Sequence, residues 1–155
     1  MTANALTSVT QLDDIKGLPD FCWVKLVLTT NNGKLLDDNV YWLNQKEWDG
    51  KVLANLPVSS VNVSVKNFTK KTNHYEGRLI VKNPGQYWRC IALTLRDAKT
   101  DAAVRPAYFD DGYFYLMPGE SKEVCFQVDC KERVDKLLLR VDGYNVELKD
   151  ILLNR

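Results

Sequence analysis

Few side chains in this sequence could act as catalysts. Its 155 residues include one histidine, His74, and a serine or cysteine nucleophile normally needs a histidine as its base. His74 follows a Lys-Lys-Thr-Asn turn, which predicts a solvated turn residue at the start of a strand. The sequence also has no G-x-S-x-G elbow and no glycine-rich phosphate loop. We therefore expect no catalytic residue and no cofactor.

Carboxylates that could pair for acid-base chemistry occur as sequence neighbours, in Asp13-Asp14, Asp37-Asp38 and Asp110-Asp111. Neighbouring side chains on an extended chain point to opposite faces, so adjacency does not build an acid-base pair. Each pair lies in a turn, where an aspartate commonly bonds its own backbone. A calcium ion at Asp110-Asp111 is the minor alternative, because the spaced ligands of a dedicated site are missing. We expect no metal site.

The four cysteines, Cys22, Cys90, Cys125 and Cys130, form no C-x-x-C pair, which disfavours a zinc or thioredoxin-type site. Cys90 and Cys125 each lie in an apolar, strand-like run. The favoured interpretation is that both are buried free thiols. The alternative is an inter-sheet disulfide between them, which would need an oxidising compartment.

Aromatic residues are concentrated in the middle of the chain. Their rings could stack on sugars or on a neighbouring domain, and rings are also the natural filling of a β-sandwich core. Core or domain contact is the favoured interpretation, and sugar binding by the cluster at residues 108–115 is the alternative. The candidate sugar or domain contacts are Trp88, Tyr108, Tyr113 and Tyr115.

Short strands must position these side chains, because most of the apolar pattern repeats at every second residue. Val124, Phe126 and Val128 alternate with polar residues, which predicts a strand with one buried face. Residues 87–96 are apolar on both faces, which predicts a central strand covered on both sides. Pro118-Gly119 predicts a type II turn.

The pattern predicts about seven short strands between residues 57 and 155, separated by turns. The last two, residues 137–141 and 146–152, are joined by Asp-Gly-Tyr-Asn at 142–145, which is a hairpin signal. This spacing of strands and turns is typical of an immunoglobulin-like sandwich. We therefore predict an all-β, immunoglobulin-like β-sandwich.

The first part of the chain differs from the rest. Residues 21–28 and 39–43 predict two paired strands, and a polar linker follows at 44–55. A hairpin by itself is marginal in water, so these strands must dock on the sandwich or belong to a neighbouring sheet. We favour the second idea. The predicted domains are residues 1–50, the terminal strands of a preceding β-sandwich plus the linker, and residues 51–155, the sandwich itself.

Charge is balanced along the chain, with a formal net charge of +1 and 26% charged residues. Basic and acidic residues are interspersed, so we expect neither nucleic acid nor a membrane as a partner. The longest apolar runs are far too short to span a bilayer, and residues 1–5 lack the segments of a signal peptide. A chain of this length can bury a core without a metal or a disulfide.

Three stretches of the sequence resemble a known enzyme family. They are residues 21–43, which include the run Asn-Val-Tyr-Trp-Leu, residues 106–121, and residues 143–146. Together they resemble the junction of the penultimate and last β-sandwiches of glycoside hydrolase family 2 enzymes. The branch that they resemble contains exo-β-glucosaminidase, β-mannosidase and mannosylglycoprotein endo-β-mannosidase. The family usually has Asn where this chain has Gly112.

The resemblance implies that this chain is the C-terminal piece of a retaining glycosidase that acts on β-linked mannose or glucosamine. The two catalytic glutamates of the family lie on an upstream (β/α)₈ barrel, and no stretch of this sequence matches their motifs. The implied partners are that barrel and the neighbouring sandwiches of the same parent chain, with an oligosaccharide as a further candidate. The implied location is periplasmic or secreted, or else vacuolar or lysosomal.

Three roles without catalysis stay open at this point. An accessory domain that supports the barrel predicts an exposed apolar patch on the hairpin of residues 21–43. A carbohydrate-binding module predicts two or three solvent-facing rings on one surface. A protein-interaction or adhesion module would use the sheet edge that Pro106 marks, since the immunoglobulin-like scaffold hosts many functions.

Overall fold

The fold is defined by a computed structural model. The residues that it describes are 8–44, 51–130 and 134–153. The chain forms two compact units, which divide between Asn55 and Leu56. Two predicted segments lie outside the described residues. They are residues 1–5, where the sequence predicts no signal peptide, and residues 45–50, which belong to the predicted linker. Within the described part of the chain, no helix is both long and apolar enough to cross a membrane.

The first unit is built around an antiparallel hairpin. Its strands are β1 (Phe21–Thr29) and β2 (Leu35–Asn44). Trp23 lies opposite Trp42, with the ring centroids 4.7 Å apart, and both indoles meet the ring of Phe21 edge-on. The unit also contains a 3₁₀ turn at Leu12–Asp14 and one helical turn, α1, at Lys51–Ala54.

The end of the hairpin near its turn exposes apolar side chains on both faces. Five leucine and valine side chains there are 53 to 60% exposed, and we call them the hairpin patch: Leu26, Val27, Leu28, Leu35 and Leu36. Consecutive apolar residues point to opposite faces of a strand and are typical of strands that are covered on both sides. The exposed apolar patch that the sequence predicts for this hairpin is therefore present.

The second unit is a sandwich of two four-stranded sheets, here called sheet I and sheet II. The strands are β3 (Asn62–Lys70), β4 (His74–Lys82), β5 (Arg89–Asp97), β6 (Ala107–Phe109), β7 (Tyr113–Leu116), β8 (Ser121–Asp129), β9 (Leu137–Asp142) and β10 (Lys149–Leu153). Sheet I has the order β10-β9-β5-β7, and sheet II has the order β3-β4-β8-β6. This is the all-β, immunoglobulin-like sandwich that the sequence predicts, with eight strands among its described residues instead of about seven.

The core lies between the two sheets and is filled by alternate residues of their strands. On β8 the predicted alternation is confirmed, because Val124, Phe126 and Val128 are at most 3% exposed. The predicted type II turn is confirmed at Gly119, which has a φ of 80° and follows β7. Burial of this apolar surface is the main contribution to the stability of the sandwich.

β5 differs in part from its prediction. Its first residues, Arg89 to Ile91, are buried on both faces, as expected for a central strand. Further along, Thr94 is exposed, and only the core-facing side chains, Leu93 and Leu95, stay buried. The prediction of cover on both sides is therefore wrong for the second half of the strand, where the outer face of sheet I is open to solvent.

The last strand begins later than predicted. β10 starts at Lys149, and the predicted start, Val146, instead forms a parallel bridge with Ser59. The carbonyl of Tyr144 accepts a hydrogen bond from the amide of Cys90, so the residues after β9 run beside the start of β5. The predicted hairpin of the last two strands is confirmed, because β9 and β10 pair antiparallel. Its loop is longer than the predicted residues 142–145 and extends to residue 148, because the backbone groups of Tyr144 and Val146 pair with other segments.

The predicted alternative of a disulfide between Cys90 and Cys125 is wrong. Cys90 lies on β5 in sheet I, and Cys125 lies on β8 in sheet II. The neighbours of each cysteine in its strand, such as Ile91 and Phe126, face the core, so both thiols point to the outer faces of opposite sheets. A disulfide needs Cα atoms within about 7 Å, which this placement excludes. All four cysteines are free, and Cys90 is buried whereas Cys125 is half-buried.

Candidate functional site

The outer face of sheet I carries Trp88, Tyr113 and Tyr115, three of the predicted contact residues. Phe114, between the two tyrosines on β7, is buried in the core, so both tyrosines point outward. The indole of Trp88 stacks on Tyr144, with a centroid distance of 6.1 Å and an interplanar angle of 9°. The ring of Tyr115 lies 6.0 Å from the same indole. We call Trp88, Tyr113, Tyr115 and Tyr144 the aromatic face.

Exposure within the aromatic face is uneven. Trp88 is 7% exposed, whereas Tyr113 is 64% and Tyr144 is 38% exposed. Hydrogen bonding with the Cys90 thiol raises the pKa of Tyr113 to about 12. The ring of Tyr113 remains open to solvent. The face therefore presents two exposed rings around a buried tryptophan, which acts as packing.

Tyr108 lies on the opposite side of the sandwich. It belongs to β6, the edge strand of sheet II, and is 56% exposed. The neighbouring residues Ala107 and Phe109 pack against the core, so the ring of Tyr108 points away from the core. The predicted cluster at residues 108–115 is therefore wrong as a single surface. The chain changes sheets at Asp110 to Gly112, which sends Tyr108 and Tyr113 to opposite faces.

A shallow groove of about 580 Å³ crosses the outer face of sheet II beside Tyr108. One register row of the sheet runs through it. Tyr108 lies opposite Gln127, Gln127 lies opposite Glu76, and Glu76 lies opposite Thr69. We call these four residues the polar row. Asn67, which has a φ of 44° at the bulge in β3, lines one end of the groove.

His74 lies beside the polar row and is not the freely solvated turn residue that the sequence predicts. It is the first residue of β4, with its side chain 29% exposed. Its Nδ1 is 2.7 Å from Oδ1 of Asp129, and its Nε2 is 3.5 Å from Oε2 of Glu76. Glu76 is also 3.9 Å from the Lys71 ammonium. The hydrogen bond to Asp129 is the main cause that raises the pKa of His74.

We expect the stability of the sandwich to depend on the protonation of His74. Because its pKa is raised in the folded state, its stabilising contribution is complete below the unfolded pKa, near 6.5, and is lost as the pH rises through the folded pKa. Between about pH 5.5 and about pH 8.5, the midpoint of thermal unfolding should decrease more steeply with rising pH in the natural chain than in His74→Gln. Asp129→Asn should make the decrease of the midpoint with rising pH nearly as shallow as in His74→Gln. Parallel profiles for the natural chain and His74→Gln would contradict this expectation.

The carboxylates of Asp110 and Asp111, the minor calcium candidate, both have protein partners. One oxygen of Asp110 accepts hydrogen bonds from the amides of Asp111 and Cys125, each at 2.9 Å. Asp111 forms an ion pair with Lys122. Among the residues that the structure describes, no three His, Cys, Asp or Glu side chains are grouped so that they could hold a metal ion.

Sequence reasoning missed Tyr144 and most of the polar row. Tyr144 lies in a predicted turn, and nothing local indicates that its ring stacks on Trp88, far away in the sequence. Alternation on β4 and β8 could have identified Glu76 and Gln127 as outward-facing. Their alignment with Tyr108 depends on the register between strands, which one sequence does not specify.

Comparison with known proteins identifies the family of this chain. Residues 39–146 match the family described as the exo-beta-D-glucosaminidase Ig-fold domain. An exo-beta-D-glucosaminidase of Arthroderma benhamiae is 27% identical over 169 residues, which cover 96% of this chain and 18% of the relative. The resemblance to the immunoglobulin-like region of glycoside hydrolase family 2 enzymes, in the exo-β-glucosaminidase branch, is therefore confirmed.

Solved structures agree on the fold. The exo-chitosanase CsxA of Amycolatopsis orientalis matches with a TM-score of 0.73 and 23% identity, over 89% of this chain and 19% of that enzyme. A complex of the same enzyme with PNP-beta-D-glucosamine gives a TM-score of 0.73 at 22% identity. This chain spans less than a fifth of the length of these relatives. Since the family match extends over residues 39–146, well over half of its length, the chain belongs to the exo-β-D-glucosaminidase Ig-fold domain family.

Proposed function

We propose that this chain is a non-catalytic accessory β-sandwich of a longer family 2 glycoside hydrolase that acts on β-glucosaminides. The supporting observation is that the chain belongs to the glucosaminidase Ig-fold domain family and spans 18% of the length of its curated relative. The names of the relatives specify glucosaminidase and chitosanase, so β-glucosaminides are preferred to β-mannosides as substrates. The proposed parent is a retaining enzyme whose catalytic glutamates lie outside this chain.

The hairpin patch supports a structural role. An apolar surface on both faces of a two-stranded ribbon is costly in water, and a neighbouring sheet or domain would cover it. We propose that the catalytic barrel and the adjacent sandwiches of the parent chain supply this cover. The proposed location is outside the cytoplasm or in a vacuole or lysosome, because a polymeric sugar substrate does not cross a membrane freely.

Leu28→Lys tests the cover of the hairpin directly. Leu28 is 60% exposed in the present chain, so the substitution should change its free energy of unfolding by less than about 0.5 kcal/mol. In the longer protein, where we propose that Leu28 is buried, the same substitution should cost about 2 to 4 kcal/mol. Denaturant unfolding of both proteins measures the difference. Equal small effects in both would contradict the proposal.

A hydrolysis assay tests the catalytic part of the proposal. The present chain should release no nitrophenol from PNP-β-D-glucosaminide or PNP-β-D-mannoside. The longer protein should cleave the glucosaminide, and deletion of residues 56–155 should shorten its lifetime on heating. Hydrolysis by the present chain would contradict an accessory role, and preferential cleavage of the mannoside would contradict the proposed substrate.

A further inference from the structure

The polar row on sheet II places complementary sugar-binding groups side by side. Its members come from all four strands, in the order Thr69, Glu76, Gln127 and Tyr108. Strands lie about 4.8 Å apart, so the row is about 14 Å long, which is close to the length of a trisaccharide. An exposed ring at one end is followed by an amide, a carboxylate and a hydroxyl. This order offers one stacking surface and several hydrogen-bonding groups along a single line.

The groups of the polar row are available to a ligand. In the part of the chain that the structure describes, the side chains of Gln127 and Thr69 have no hydrogen-bond partner, and both residues are exposed. The contacts of Glu76 with His74 and Lys71, at 3.5 and 3.9 Å, are longer than good hydrogen bonds. Glu76 therefore retains the capacity to accept strong bonds from a ligand.

Tyr108 has the exposure that a stacking residue requires. Its ring is 56% exposed at the edge of the sheet, beside a groove that is also lined by the polar side chains of Gln127, Glu76 and Thr69. An exposed aromatic ring next to unpaired polar groups is typical of surfaces that bind amphipathic ligands. Pyranose sugars are such ligands, because their C–H faces stack on rings while their edges carry hydroxyl or amino groups.

We infer that this groove binds a short oligosaccharide, with one sugar ring stacked on Tyr108 and its polar groups bonded to Gln127, Glu76 and Thr69. A glucosamine oligomer fits best, because its ammonium group can form a charge-assisted hydrogen bond with Glu76. The preference for glucosamine rests on the proposed function. The aromatic face of sheet I is a weaker candidate, because its central ring, Trp88, is buried.

Binding can be measured on the whole 155-residue chain by amide-shift NMR titration with a β-1,4-linked glucosamine trimer. We expect saturable shifts on β4, β6 and β8, with a Kd of roughly 1 mM, which is typical of a small, open site. Tyr108→Ala should weaken binding at least about tenfold. The matched control is Tyr113→Ala, which removes a ring of similar exposure from sheet I and should leave the Kd unchanged.

A second comparison tests the role of Glu76. Glu76→Gln should weaken binding of the glucosamine trimer about tenfold and leave binding of a neutral glucose trimer nearly unchanged. Absence of saturable shifts with either trimer at about 10 mM would overturn the inference, as would a loss of binding in Tyr113→Ala but not in Tyr108→Ala. Because these readouts measure binding and not hydrolysis or the Leu28→Lys effect, the inference and the proposed function can fail separately.

Discussion

Replacing Gly143 with alanine is expected to prevent the sandwich from folding. Gly143 has a φ of 134°, and a Cβ at this position would lie 2.0 Å from the carbonyl oxygen of Cys90 and 3.2 Å from the amide nitrogen of Ala92. These atoms belong to the backbone of β5, a strand in the interior of sheet I, and cannot move without breaking the ladder. We expect a loss of at least about 4 kcal/mol, a large part of the total stability of a domain.

Gly119→Ala is the matched control for this prediction. Gly119 also has a positive φ, of 80°, but no atom lies within 4 Å of the position that its Cβ would take. Its substitution should therefore cost only the backbone strain, about 1 to 2 kcal/mol. Far-ultraviolet circular dichroism and denaturant unfolding compare the two variants. Equal losses would show that the close approach of Gly143 to β5 does not control the fold.

Tyr75→Ala is expected to be the most damaging removal of a side chain from sheet II. Tyr75 is 1% exposed, and its ring stacks on Phe68 at a centroid distance of 6.2 Å. The Lys70 ammonium lies 5.4 Å from the centre of the same ring. Deleting a buried ring removes apolar contacts and leaves a cavity, which costs about 3 to 5 kcal/mol. The free energy of unfolding in denaturant measures this loss.

Tyr75→Phe separates the hydroxyl from the ring. The hydroxyl of Tyr75 donates a hydrogen bond to the buried carbonyl of Val134, which links β4 to the segment before β9. Without that donor the carbonyl stays buried and unpaired, so we expect a loss of about 1 to 3 kcal/mol. A loss as large as that of Tyr75→Ala would mean that the hydrogen bond, and not the ring, accounts for the effect.

Local patterns predicted the parts of this fold that depend on neighbours in sequence. Alternation placed Val124, Phe126 and Val128 in the core, and the Pro-Gly pair at Gly119 located a turn. These features succeed because side chains alternate along a strand and because glycine tolerates a positive φ. The spacing of such strands and turns was enough to predict an immunoglobulin-like sandwich.

The surface sites depend on pairings between distant residues, which explains where prediction failed. Tyr108 and Tyr113 are close in sequence, yet β6 pairs with β8 and β7 pairs with β5, so the two rings lie on opposite faces. His74 was misjudged for a similar reason, since its partner Asp129 lies far along the chain on a neighbouring strand. Strand partners and registers are set by long-range packing, which one sequence does not specify.

The burial of Trp88 against Tyr144 gives the sandwich an optical property. Trp88 is the single tryptophan of residues 56–155, because the other three, Trp23, Trp42 and Trp48, belong to residues 1–55. An indole removed from water emits at shorter wavelengths than a solvated one, and the neighbouring rings of Tyr115 and Tyr144 can pass excitation energy to it. The second unit alone would therefore carry an intrinsic fluorescence probe on the outer face of sheet I, one that responds to loss of the native packing without any attached dye.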